Sequence, residues 1–99
     1  MQREVDEWVK QYKIEYFEPL AAMAALSEEV GEIARELNAR FGPKHKKPTE
    51  DVKEIGAEIA DAIFSLICIA NPLGIDLQEE FEKMMAKLNQ RDHSRWERK

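Results

Sequence analysis

Ile55-Gly56-Ala57-Glu58-Ile59-Ala60-Asp61-Ala62-Ile63-Phe64-Ser65-Leu66-Ile67-Cys68-Ile69-Ala70 is the stretch on which the fold turns. Its polar side chains are Glu58, Asp61 and Ser65; the rest is apolar, glycine or the buried-type Cys68. Those three fall at i, i+3 and i+7, so they form one stripe on a helix that is apolar nearly all round. Such a helix is buried on most sides, and four helices of this length can hardly bury it alone. The stretch therefore predicts a helical core and a subunit interface together. It also carries carboxylates into an apolar setting, where each ionised group costs on the order of several kcal/mol unless it is paired or bound to a metal. Glu54 extends the stripe by one turn.

Working outward, Thr49 is a candidate N-cap, and Glu50 and Asp51 suit the positive end of the same helix, which should run to Ala70. Asn71-Pro72-Leu73-Gly74 stops it. Asp76 then opens a fourth helix, with Glu79 in a capping-box position and Phe81, Met84, Met85 and Leu88 as its apolar face. Upstream, Phe41-Gly42-Pro43-Lys44-His45-Lys46-Lys47-Pro48 reads as a loop. A second helix is expected from Pro19 to Ala39, with Leu20, Met23, Val30, Ile33, Ala34 and Leu37 facing inward. A first helix over roughly residues 2–16 places Val5, Trp8, Val9 and Tyr12 on one side. Nothing reads as a strand or a repeat. The expectation is an all-α, four-helix bundle-like single domain over residues 1–99 that completes its core by oligomerisation.

Composition agrees. A 99-residue domain buries only about 60–65% of its unfolded surface, which favours association. A net charge of -5 argues against a binder of nucleic-acid polymers. Cys68 is the single cysteine, so no internal disulfide can form and a cytoplasmic setting is expected. The charged N-terminus (Arg3, Glu4, Asp6, Glu7) lacks the core of a signal peptide, and the apolar runs are too short or too acidic to span a bilayer. A soluble protein without membrane partners is expected.

The second helix repeats the acidic theme, with Glu28, Glu29 and Glu32 in an Ala- and Met-rich context. Glu29/Glu32 and Glu58/Asp61 are both i, i+3 pairs, and antiparallel packing of their helices would let four carboxylates converge. All-oxygen ligands suit hard ions such as Mg²⁺, Mn²⁺ or Ca²⁺. An acidic pair on one helix is ordinarily a solvated face in a chain that is 35% charged; it is the second pair and the apolar surroundings that favour a site. A di-iron carboxylate bundle would need Glu-x-x-His on two helices, and the two histidines, His45 and His93, do not supply it.

Glu28-Glu29-Val30-Gly31-Glu32 followed by Glu58-Ile59-Ala60-Asp61 resembles the signature of the MazG-like nucleotide pyrophosphohydrolases, Glu-Glu-x-x-Glu and then Glu-x-x-Asp on the next long helix. Tyr16-Phe17, Pro19-Leu20-Ala21, Ile69-Ala70-Asn71, Asn89-Gln90-Arg91-Asp92 and Arg95-Trp96 are also similar to short single-domain members. The resemblance implies the all-α NTP pyrophosphatase fold, a dimer or a tetramer built from dimers, and cleavage of a nucleoside triphosphate to monophosphate and pyrophosphate. It further implies Mg²⁺, with Mn²⁺ as a possible substitute, on Glu29, Glu32, Glu58 and Asp61. Glu28 is the candidate to orient or deprotonate the attacking water, or else to hold a second ion. Ala60 departs from the glycine that relatives often carry, which leaves both ligands of its motif intact.

Basic groups should complete a phosphate clamp. Lys83, Lys87 and Arg91 lie at successive i+4 steps with Asn89 close by, a pattern equally natural for a solvated face. Trp8, Phe17 and Trp96 are candidates to stack on a base, although aromatics at helical spacing more often belong to a core or interface. Lys44-His45-Lys46-Lys47 reads first as a solvated loop. Three functional readings stand side by side: a triphosphate hydrolase, a metal- or nucleotide-binding sensor without turnover, and a structural helical oligomer.

Overall fold

The computed structural model describes residues 1–42, 55–97 and 99. Among them the chain forms four helices and no strand: α1 (Gln2–Lys10), α2 (Pro19–Phe41), α3 (Ile55–Ala70) and α4 (Leu77–Asp92). The expected start of the third helix near Thr49, together with Glu54 and the Lys44–Lys47 segment, lies outside the described residues. No helix among them is long and apolar enough to cross a membrane.

α1 is shorter than its apolar spacing suggests. It ends at Lys10, a turn follows, and residues 14–18 carry no regular structure. Two causes act there. Pro19 excludes helical geometry from the residue before it, and Glu18 is accordingly extended at φ -57°, ψ 151°. Tyr16 folds back to donate a hydrogen bond from its hydroxyl to Asp6 Oδ1 at 2.9 Å. The same proline then opens α2 in the position where its missing N–H costs nothing.

α2 and α3 form the central pair, and α1 packs on α3. Glu29 and Glu32 gather with Glu58, while Ala22 and Ala25, earlier on α2, share a recess with Ser65 and Cys68, later on α3, as two antiparallel helices do. The face of α2 that meets α3 is the expected one only at half-buried Ile33. Its buried residues are Ala22, Leu26, Glu36 and Ala39, while Leu20, Met23, Val30 and Leu37 are exposed. Positions 22, 26, 29, 33 and 36 alternate steps of four and three, a seam that passes through Glu29 and Glu36. Small alanines let the two backbones approach, and the larger apolar side chains stay on the outer face.

The α3–α4 turn is closed by paired backbone bonds. Gly74 N donates to Asn71 O at 3.1 Å and Ile75 N to Ala70 O at 3.0 Å. This Schellman geometry needs a left-handed residue, supplied by Gly74 at φ 70°. α4 then begins with two caps: Asp76 Oδ1 accepts from Glu79 N at 3.2 Å, as expected from sequence, and Gln2 Oε1 accepts from Leu77 N at 2.7 Å.

The chain by itself is open. Its radius of gyration is 17.7 Å, against about 13 Å for a compact domain of 100 residues. It exposes 8528 Å², where about 5,800 Å² is usual for this mass. No residue of α4 is buried, and Phe81, Met84 and Met85 are exposed. On α3, Ile59, Ile63, Phe64 and Leu66 are also partly open, so the helix is not covered on most sides within one chain.

Candidate carboxylate site

The α2–α3 seam carries acids where a two-helix interface would normally carry leucines. Glu29, Glu32 and Glu58 each place a carboxylate oxygen within 4.8 Å of the others. Glu58 is only 4% exposed, and Glu29 and Glu32 are half-buried. Like charges this close repel by on the order of 3 kcal/mol per pair at an effective dielectric of 20. Sequence explains how they come together. The i, i+3 spacing holds Glu29 and Glu32 on one side of α2, and antiparallel register sets Glu58 opposite Glu32.

Asp61 does not join that trio within the same distance, but it shares a cavity with it. A recess of about 220 Å³ is lined by Glu29, Asp61, Phe17, Phe64, Ser65 and Cys68 over a floor of Ala22 and Ala25. It is a mostly apolar chamber with carboxylates at one end. Burial pushes the Cys68 thiol above its ordinary pKa, so it stands protonated as part of the apolar wall. Trp8 reaches the far side of that wall, with its ring edge-on to Phe64 at 6.0 Å and to Tyr12 at 5.7 Å.

The other sequence candidates are placed differently. Phe17 lines the cavity and is 67% exposed, at its mouth. Glu28 is exposed, next to the cluster in sequence but outside it. Lys83, Lys87, Asn89 and Arg91 are exposed on α4. Lys83 pairs with Glu79 at 3.3 Å and Glu80 at 3.6 Å, and Arg91 with Asp92 at 2.8 Å, which holds the Asp92 carboxyl below its ordinary pKa. Arg95 lies 5.0 Å over the Trp96 ring, near the end of the chain.

Sequence reading missed Phe64, Ala22, Ala25 and Cys68 as cavity walls, and Glu36, which is 4% exposed on the same seam of α2. For Ala22 and Glu36 the signal was present in the four-three spacing of α2, which the larger outward-facing apolar residues masked.

This donor set fits a hard divalent cation: three carboxylates in reach of one point, a fourth beside the same recess, and no softer ligand in the trio. The recess alongside offers a mostly apolar surface next to these acids.

Comparison with known proteins fits this geometry. The model of the MazG nucleotide pyrophosphohydrolase domain matches residues 17–96. YpjD of Bacillus subtilis (strain 168) is 52% identical over 99 residues, 100% of this chain and 89% of YpjD. The crystal structure of YpjD from Bacillus subtilis aligns with a TM-score of 0.79 at 49% identity, covering 92% of this chain and 91% of that one. The crystal structure of the Bacillus-conserved MazG protein, a nucleotide pyrophosphohydrolase, aligns with a TM-score of 0.76 at 44% identity, covering 90% and 85%. With its four helices, its paired acidic motifs and a family match over most of its length, this chain belongs to the MazG nucleotide pyrophosphohydrolase family and is a pyrophosphatase hydrolase.

Proposed function

We propose that the chain hydrolyses nucleoside triphosphates between the α and β phosphates, giving a monophosphate and pyrophosphate, in a Mg²⁺-dependent reaction that Mn²⁺ can also support. The observation that carries this reading is the convergence of Glu29, Glu32 and Glu58 beside an apolar recess that also holds Asp61. A triphosphate and a carboxylate cluster repel each other, so productive binding requires a cation between them. When bound, that cation supplies neutralisation of the phosphates, a lowered pKa for water and stabilisation of charge in the transition state.

The protein's own residues divide the remaining work. Glu29, Glu32, Glu58 and Asp61 hold the ion. Glu28 orients the attacking water or takes its proton. Phe17, Phe64 and the alanine floor accept the nucleoside and exclude water from it. Lys83, Lys87, Asn89 and Arg91 meet the phosphates from α4, and Trp8 backs the aromatic wall.

The working form is a homo-oligomer, a dimer or a tetramer. The excess of about 2,700 Å² of exposed surface over a typical monomer of this mass supports it, as does the α4 face that the single chain leaves open. Obligate subunit interfaces are of this order.

The deciding experiment is pyrophosphate release from a panel of ribo- and deoxyribonucleoside triphosphates, with and without Mg²⁺, beside an Asp61→Ala control. Metal-dependent pyrophosphate with matching monophosphate, lost in the control, supports the proposal. Release of single phosphate overturns the cleavage position. Metal-dependent nucleotide binding with no product would make the chain a sensor instead.

A further inference from the structure

Phe17 presents a puzzle in stability terms. It is a large apolar side chain, mostly exposed, on a segment without helical hydrogen bonds, yet it lines the recess. An aromatic ring on a loose connection would collapse onto the nearest apolar surface or sample many positions, and either outcome would spoil a binding wall. The residue beside it is anchored by a closed polar network. Tyr16 Oη donates to Asp6 Oδ1 at 2.9 Å and accepts from Asn71 Nδ2 at 3.0 Å. Asn71 Nδ2 also donates to Gln2 O at 3.1 Å, and Asn71 Oδ1 accepts from Gln2 Nε2 at 2.9 Å. Asp6 is held in turn by Lys10 at 2.7 Å. Both amide hydrogens of Asn71 and its oxygen are thus engaged, at the end of α3 where the Gly74 turn fixes the backbone.

We propose that Tyr16 and Asn71 are positioning residues that set the Phe17 ring at the mouth of the recess, where it packs on the base of the bound nucleotide. The proposal rests on the nucleotide reading above for the identity of what is packed, and on the hydrogen-bond network for the positioning. Asn71, at the end of α3, and Asp6, on α1, grip the Tyr16 hydroxyl from two sides. Rotation of the connection about its own axis, which would carry Phe17 off the mouth, then breaks two hydrogen bonds at once. The carboxylates on the α2–α3 seam are untouched by that rotation.

The test uses the full chain and separates these two claims. Tyr16→Phe removes a single oxygen. It is expected to raise KM for the preferred triphosphate about fivefold, the scale of one ordinary hydrogen bond, with kcat within about twofold. Inhibition by inorganic pyrophosphate, which has no base, should stay unchanged. The double variant Tyr16→Phe/Phe17→Ala should be no worse than Phe17→Ala alone, because Tyr16 acts through Phe17. Asn71→Ala should repeat the Tyr16→Phe pattern. A fall in kcat at constant KM, weakened pyrophosphate inhibition, or multiplying effects in the double variant would each overturn the proposal. A second readout needs no substrate: fluorophenylalanine at position 17 should give a ¹⁹F shift displaced from the free amino acid, moving toward it in Tyr16→Phe. If the wild type turns over no nucleotide, the hydrolase reading fails, and the ¹⁹F shift still decides the positioning claim. An unchanged shift in Tyr16→Phe defeats that claim.

Discussion

α3 and α4 are each 16 residues long, and the chain treats them oppositely. α3 packs along α2 and buries Glu58, Ile67 and Ala70; α4 buries nothing and turns Phe81, Met84 and Met85 to the outside. Local capping is as good on α4 as anywhere in the molecule, with Asp76 and Gln2 both satisfying its first amides. Helix formation and helix burial are therefore separate problems here. Capping and propensity specify α4 locally, while in the proposed oligomer a partner surface would give it a reason to persist. The α2–α3 pair shows the reverse: its seam spends packing quality on carboxylates that a pair of leucines would replace with greater stability. That exchange is the one expected of acids kept for the proposed metal site.

The sharpest way to break this contrast is at the seam. Glu58→Gln keeps shape and removes charge, and it should cost turnover on the order of 10³-fold while leaving the melting temperature unchanged or raised. Pyrophosphate release and thermal unfolding of the same sample check both halves. A variant that loses activity and stability together would mean Glu58 is structural.

The complementary break is on α4. Phe81→Asp with Met85→Asp should shift the sedimentation coefficient to that of a monomer and lower turnover by about tenfold or more, as central apolar anchors of an interface do. Unchanged sedimentation would leave α4 a free arm.

A matched pair of truncations sharpens the comparison further. Ile67→Ala, in the α3 core, should destabilise by roughly 2–4 kcal/mol at any protein concentration. Phe81→Ala should destabilise in a concentration-dependent way if, as proposed, association covers it. Denaturant midpoints at two protein concentrations tell them apart. Smaller still, Asp76→Ala should cost about 1 kcal/mol through the lost cap.

The least effect belongs to acid. Lys10 beside Asp6, with help from the Tyr16 hydroxyl, holds the Asp6 carboxyl below its ordinary pKa of 3.8. Its stabilisation is therefore complete above that value and fades as the pH falls through the lower folded-state value. Asp6→Asn, which keeps a side-chain oxygen to accept from the Tyr16 hydroxyl, should flatten this part of the acid-stability profile by a small amount, since the Lys10 pair is exposed to solvent.

Much of this was legible beforehand, for physical reasons that differ by element. Asp76 and Gly74 act over three or four residues, so their roles could be read directly from the chain. The carboxylates of α2 and α3 were legible as pairs because i, i+3 spacing is a property of any helix. The buried face of α2 was misjudged because Leu20, Met23, Val30 and Leu37 are larger than Ala22 and Ala25, and size alone points inward. In an assembly with more than one interface, large apolar residues can serve the outer contact and small ones the inner. The end of α1 was misjudged because Tyr16 prefers a long-range partner, Asn71, which no local pattern announces.

The clasp made by Gln2 also bears on the birth of the molecule. Its side chain bonds groups 69 to 75 residues further along, at Asn71, Ile75 and Leu77. At about 5–20 residues per second, those partners leave the ribosome's catalytic centre some ~4–15 s after Gln2 does. Through that interval the α1 segment has no mate for its amide and no α3 to lean on, whereas α2 needs only the next long helix. The clasp can therefore close only once α3 and the first turn of α4 have been made.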